Sequence, residues 1–304
     1  MKIAIVGLGD IAQKAYLPVY AERADLEVYL VSRDAKKAQQ LQAAYRFAGT
    51  YPSLQDALED GVEAVMIHSA TLVHAEQAKQ VLEAGVAVYV DKPVSMEIEE
   101  IRELTRLSEE KQLPFITGFN RRFASAHQRL LEVNDPNLVL MQKNRTSFIE
   151  DAKPFLFDDF IHVADTLRFL TGCGEIEGLH VKSKQDANGL HHVTIQFIAN
   201  GITAIGVMNR NNGITEERVE VMGPEEKRVA TDVTTLEQLT KQGTLKYPLD
   251  NWEATLKRRG FVDMLDAFIR TVKGEASDSV VASDSLATHE LCQQVYERIQ
   301  ADRS

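Results

Sequence analysis

The first twelve residues constrain this chain most. Met1-Lys2-Ile3-Ala4-Ile5-Val6 is a short apolar, β-branched run that reads as a buried strand. Gly7-Leu8-Gly9-Asp10-Ile11-Ala12 follows at once, and a helical stretch comes after it. Small residues at those three positions have separate jobs in a strand-to-helix turn. Gly7 allows the tight turn. Gly9, without a Cβ, lets a pyrophosphate approach the backbone. Ala12 lets the helix pack closely on the strand. Open N–H groups at the helix start would hold the phosphates, with Asp10 and Ile11 completing the cradle. The spacing alone also fits an ordinary turn. The strand before it and the helix after it favour a dinucleotide.

The next hundred residues repeat that alternation. Leu26 to Val31, Phe47 to Tyr51, Val62 to His68, Val86 to Val90 and Leu113 to Thr117 read as strands, with helical patterns between them. Pro18 interrupts the first helix, Asp10 to Arg23, and kinks it or starts a second piece. Strands alternating with helices predict an α/β domain with a doubly wound parallel sheet, the Rossmann arrangement, over residues 1–120. Beyond that the pattern changes. Leu138 to Arg145, Leu179 to Ser183, His192 to Ile198, Thr203 to Met208 and Arg218 to Met222 have strand character. Asn188-Gly189, Asn200-Gly201 and Asn212-Gly213 are hairpin signals among them. Helices are expected over Phe155 to Leu170, Phe261 to Lys273 and Ser283 to Ala301. Residues 121–304 therefore read as an α+β domain with a large, mainly antiparallel open sheet. One sheet face needs cover, and a second subunit is one way to supply it.

Composition narrows the partners. The formal net charge of −11 argues against a general affinity for nucleic acid or anionic membranes. No apolar run approaches the ~20 residues of a bilayer span, and the opening run is too short for a signal peptide. The two cysteines, Cys173 and Cys292, read as free thiols of a reducing cytoplasm. No Cys/His spacing suggests a metal site.

Four features carry chemistry. Ser32-Arg33 ends the second strand, where NAD enzymes place an acid on the ribose 2′-hydroxyl. A hydroxyl and a guanidinium there suit a 2′-phosphate, which a carboxylate would repel. That favours NADP over NAD, unless Asp34 takes the ribose instead. Lys92, in Asp91-Lys92-Pro93, lies just past the fifth strand. At that sheet edge it reads equally as a surface lysine or as a donor to a substrate oxygen. Asp158, His162 and Asp165 are spaced i, i+4, i+7 on one predicted helix. They read as a solvated polar face, or as a carboxylate orienting an imidazole for proton exchange. His74 opens a helix at the same sheet edge as the glycine loop and could contact cofactor or substrate.

Taken together, these residues resemble the Gfo/Idh/MocA family of NAD(P)-dependent oxidoreductases over essentially the whole length, and within it the MviM-type proteins. The matches run in family order: Gly7 to Ala12, His74 in Ser-Ala-Thr-x-x-His, Ala84-Gly85, Asp91-Lys92-Pro93, Gly118 to Phe123, and Asp158-x-x-x-His162-x-x-Asp165. The resemblance implies hydride transfer between nicotinamide C4 and a sugar, cyclitol or related carbonyl compound. It also implies a dimer face on the second sheet, giving a homodimer or higher homo-oligomer. Lys92 matches the family's catalytic lysine, and Asp158 and His162 match its Asp-x-x-x-His pair. We place Ser69 and His74 with the cofactor, and Asn120, Arg121, Arg122 and Asp165 with the substrate. Two departures stand out. Asp91 replaces the usual Glu, and Phe155 and Phe157 replace a glycine-rich run, which is expected to reshape the substrate pocket. The alternative function is a non-catalytic NADP(H)-binding sensor or scaffold, which would need only the phosphate loop.

Overall fold

The computed structural model describes residues 1–146, 148–248, 252–275 and 281–302. The chain divides into two compact units. The first comprises Met1–Gly118 and Phe261–Leu286, the second Phe119–Gly260 and Ala287–Ser304. The chain passes between them close to the expected residue 120, but residues 261–286 return to the first unit. The sequence reading groups them with the second domain. Helix Phe261–Val272 buries Met264, Leu265, Phe268 and Ile269 on one face. An amphipathic helix goes where an apolar surface awaits it, which local sequence does not reveal.

The first unit is built on strands β1 (Lys2–Val6), β2 (Glu27–Val31), β3 (Gly49–Tyr51), β4 (Ala64–Ile67), β5 (Ala87–Val90) and β6 (Phe115–Thr117). They pair in the order β3-β2-β1-β4-β5-β6, all parallel. This is the doubly wound order, and its direction reverses between β1 and β4, where such sheets bind ligands. Strands β4 and β5 are buried at every position, as a sheet covered by helices on both faces requires. Each such Val or Ile contributes roughly 1.5–3 kcal/mol.

The first helix is not continuous. A π-helical turn, Ala12–Tyr16, runs into a short α-helix, Leu17–Ala21, with Pro18 in its first turn. Proline is tolerated there because its missing N–H would have no partner in any case.

The second unit holds β7 (Leu138–Thr146), β8 (Glu177–Asp186), β9 (Gly189–Ala199), β10 (Ile202–Asn212), β11 (Glu216–Met222), β12 (Lys227–Thr231), β13 (Thr235–Thr240) and β14 (Gly243–Tyr247). Their order is β14-β13-β12-β11-β7-β10-β9-β8. The sheet is mainly antiparallel, as expected, but β7 runs parallel to β10. Two Asn-Gly signals join neighbouring strands, β8 to β9 and β9 to β10. The third, Asn212-Gly213, does not make a hairpin, because β7 lies between β10 and β11. Strands β12 to β14 are short and polar enough to escape the period-2 pattern.

Helix Ile161–Leu170 lies on one face of this sheet. A Cβ on Gly206 of β10 would come within 2.8 Å of Leu167 and Val163, so the close packing requires glycine there. Beneath it, Val193, Ile195 and Phe197 alternate inward along β9. Ile198, on the other face of β9, is 42% exposed.

Candidate active site

In the first unit, the carboxyl ends of β1, β4 and β5 bring the candidate residues to one edge. Gly7 has φ +89°, and a Cβ on it would fall 2.3 Å from the Ser69 nitrogen. The β1 turn and the β4 loop therefore touch, and only glycine fits between them. A Cβ at Gly9 would meet nothing within 4 Å. That open side is where a phosphate can reach the backbone. Ala12 is fully buried, Ile11 is exposed, and Asp10 makes an exposed pair with Lys14 at 2.9 Å.

At the end of β2, the Ser32 hydroxyl accepts the Asp34 N–H at 3.1 Å. The Asp34 carboxylate accepts the Lys37 N–H at 3.0 Å and caps helix Ala35–Tyr45. Arg33 is exposed.

Ser69 hydrogen-bonds the Gln77 side chain at 2.6 Å. His74 is 2% exposed, and its ring nitrogens lie 2.8 Å from the carbonyl oxygens of Pro93 and Ser69. The imidazole thus bridges the β4 loop and the Lys92-Pro93 turn. Lys92 is half-buried just beyond β5. Its N–H donates to the Asp91 carboxylate at 2.8 Å.

In the second unit, the expected single helix over Phe155 to Leu170 is divided in two and preceded by a further short turn. A short turn, Ala152–Pro154, leads into a π-helical turn, Phe155–Phe160, and then helix Ile161–Leu170. π turns are rare and recur at functional sites. Asp158 lies in the wide turn, so its four-residue spacing to His162 does not map onto one α-helical face. Asp158 is half-buried and His162 is 7% exposed. Phe155 and Phe157 are fully buried. Phe155 packs against the Arg210 guanidinium at 4.8 Å.

Asn120, Arg121, Arg122 and Asp165 are each 6% exposed or less. Asn120 donates to the Arg259 carbonyl at 2.8 Å. Arg121 pairs with Glu217 through two hydrogen bonds, at 2.6 and 2.7 Å. The Arg122 Nε lies 3.0 Å from both Asp165 oxygens, and Thr288 also donates to that carboxylate. Each of these side chains has a hydrogen-bond partner within the unit.

Lys143 escaped the sequence reading, although a lysine in phase with buried Val139 and Met141 on β7 was a usable signal. It contacts Asp159 at 2.5 Å and borders a cavity of about 290 Å³ with Arg145, Arg259 and Asp232. Burial, reinforced by Arg121, pushes its ammonium down to about 7. Asp159 and Glu217 go the opposite way. Burial would raise both, but Lys143 and Arg145 around Asp159, and Arg121 beside Glu217, outweigh it and hold the carboxyls low. Arg210 lies 4.8 Å from the rings of both Phe148 and Phe155, and burial lowers it to about 10. Among the described residues no group of three or more His, Cys, Asp or Glu is placed to hold a metal, and no helix is long and apolar enough to cross a membrane.

Comparison with known proteins matches residues 1–119 to a family described as "Oxidoreductase family, NAD-binding Rossmann fold", the GFO_IDH_MocA model, and residues 126–241 to "YceM-like, C-terminal domain". The YceM protein of Salmonella typhimurium is 30% identical over 99% of this chain and 98% of its own length. The chain belongs to the Gfo/Idh/MocA oxidoreductase family. A crystal structure titled as dehydrogenase (MviM) from Clostridium difficile superposes with a TM-score of 0.91 at 25% identity, covering 98% of this chain and 99% of that one. A more distant family relative, from Rhizobium meliloti, is named inositol 2-dehydrogenase. It is 24% identical over 94% of this chain and 93% of its own length. The expected family and fold are thereby established, and with them a nicotinamide-dinucleotide-binding oxidoreductase.

Proposed function

We propose that this chain is an NADP(H)-dependent dehydrogenase or reductase that acts on a hydroxyl or carbonyl carbon of a sugar, cyclitol or related small molecule. The observation that carries the reading is the shared edge. Lys92 stands at the carboxyl end of β5 on the same sheet edge as the Gly7–Ala12 turn, within one compact unit. A protein that only sensed the cofactor would have no use for a lysine there. The inositol dehydrogenase relative supports the substrate class. Exposed Arg33, beside an Asp34 already engaged in capping its helix, supports NADP over NAD.

The Gly7 to Ala12 backbone binds the pyrophosphate, with Ser32 and Arg33 on the 2′-phosphate and Ser69 beside the cofactor. A bound nicotinamide supplies or accepts the hydride. In oxidation His162 takes the hydroxyl proton, and in reduction it returns it. Lys92 hydrogen-bonds the same oxygen and stabilises the negative charge developing there. Asp158 orients the imidazole. Asn120, Arg121, Arg122 and Asp165 act on the substrate by holding the walls of its pocket. The exposed face of the second sheet joins two copies, which light scattering on the purified protein tests directly.

Titration with NADPH and NADH, followed by a 340 nm screen of inositols, aldoses and nucleotide sugars, tests the assignment. Arg33→Ala should weaken NADPH binding about tenfold and leave NADH unchanged, the worth of one charge-assisted hydrogen bond. Lys92→Met and His162→Ala should bind cofactor normally and lose most turnover. Tight cofactor binding with no turnover across the whole library would favour the sensor.

A further inference from the structure

Beside Lys92, three elements of the first unit meet in a buried polar cluster. Asp91, at the end of β5, is 9% exposed. One of its oxygens, Oδ1, accepts the Lys92 N–H at 2.8 Å and the Tyr16 hydroxyl at 3.1 Å. The Tyr16 hydroxyl is also 2.9 Å from the Tyr89 hydroxyl. A carboxylate only accepts, so Tyr16 donates its one hydroxyl proton to Asp91. The Tyr89 hydroxyl faces both the Tyr16 oxygen and the Met264 sulfur, the latter at 3.4 Å, and the oxygen is the stronger acceptor for its proton.

The surroundings fix Tyr16 in place. Its ring stacks on His68 with centroids 3.9 Å apart, and meets Phe261 edge-on at 5.3 Å. Tyr20 bonds the His68 ring at 2.8 Å. The π-helical turn Ala12–Tyr16 delivers the side chain inward, and it is 4% exposed. Gly118, just past β6, leaves room for the hydroxyls. A Cβ there would lie 2.4 Å from the Tyr89 oxygen, 3.1 Å from that of Tyr16 and 3.2 Å from Asp91 Oδ1.

We propose that Tyr16 is a positioning residue for Lys92: its hydroxyl, seated by Tyr89 and His68, anchors the Asp91 carboxylate that holds the Lys92 backbone. The functional consequence rests on Lys92 being the oxygen-binding group proposed above. The arrangement suits this chain's departure from the family's glutamate. A carboxylate one methylene shorter turns back onto the next residue's N–H, and Tyr16 supplies its second donor.

The charges around Asp91 are few. Burial raises its carboxyl above the ordinary range. The Lys92 charge, the Lys92 N–H, the Tyr16 hydroxyl and His74 pull against that rise. His68 is driven down to about 3 by burial, so its ring is neutral at pH 7. Tyr16, Tyr20 and Tyr89 are raised well above the usual tyrosine range, mainly by burial, and stay protonated. Tyr16 is thus the side-chain hydroxyl that favours the ionised carboxylate.

The test needs no substrate. In protein labelled with ¹⁵N-lysine, the Lys92 amide resonance reports the carboxylate it is bonded to. In Tyr16→Phe the pH midpoint of that resonance should rise, and Lys92 amide exchange should speed up about tenfold, the worth of one hydrogen bond to a charged group. Gly118→Ala, which displaces the hydroxyls without deleting one, should move both readings the same way. It also keeps the test available if the first variant folds poorly. A wild-type midpoint and exchange rate in either folded variant overturns the proposal. Turnover in Lys92→Met would instead overturn the catalytic reading and leave the amide result standing.

Discussion

The two units bury polar groups by opposite strategies. Around Asp91 the first unit uses neutral hydrogen-bond donors, the Tyr16 hydroxyl and the Lys92 N–H, and the Lys92 charge does not offset the burial. The second unit neutralises charge with charge, pairing Arg121 with Glu217, Arg122 with Asp165, and Lys143, Arg145 and Arg210 with Asp159. In the first, burial dominates and the carboxyl rises. In the second, counter-charges win at Asp159 and Glu217, and those two carboxyls fall. A neutral network costs less to bury and leaves its one charge free to act on a neighbour. A charged web is rigid and fails badly when one member is lost.

The largest expected effect follows from that web. Asp165→Ala strands the buried Arg122 guanidinium, and urea unfolding should show a loss of about 3–5 kcal/mol. The double variant with Arg122→Met should lose much less, because no unpaired charge remains. Additive losses would show that the pair is not coupled. Next comes Glu217→Gln, which keeps an acceptor for Arg121 but removes the charge, at a cost of about 2 kcal/mol at pH 7. Glu217 is held low in the fold, so its contribution is present above the ordinary glutamate range and disappears as pH falls through the folded value. The stability gap between variant and wild type should therefore close in acid.

The smallest effect sharpens the contrast because its sign reverses. The Asp91 carboxyl is raised by folding, so the folded state loses stability as pH rises through that value. Asp91→Asn should melt slightly higher than wild type at pH 7, and the difference should vanish below the ordinary aspartate range. A destabilised Asp91→Asn at neutral pH would mean that the carboxylate is held by charge after all, and the comparison would collapse.

Much of the first unit was legible because its signals are local. Helices Ala35–Tyr45 and Leu54–Glu59 each start at a side-chain cap next to them in sequence, Asp34 and Ser53. Strands β12 to β14 were not legible, since short polar strands lack alternation. The wide turn at Asp158 was hidden as well, because an apolar pattern does not distinguish a five-residue hydrogen-bond step from a four-residue one.

By itself the sequence determined the alternating first domain, the glycine turn at its switch point, Lys92 at the end of β5 and the polar positions Asp158 and His162. These depend on residues within a turn or a strand of one another. Tertiary structure alone decided that β7 inserts between β10 and β11, that residues 261–286 return to the first unit, and that Arg121 meets Glu217 across 96 residues. It also decided that Tyr16, 75 residues before Asp91, would reach that carboxylate. The reason is physical. Periodicity records which face of an element is buried, while the partner that buries it is chosen by the packing of the whole chain.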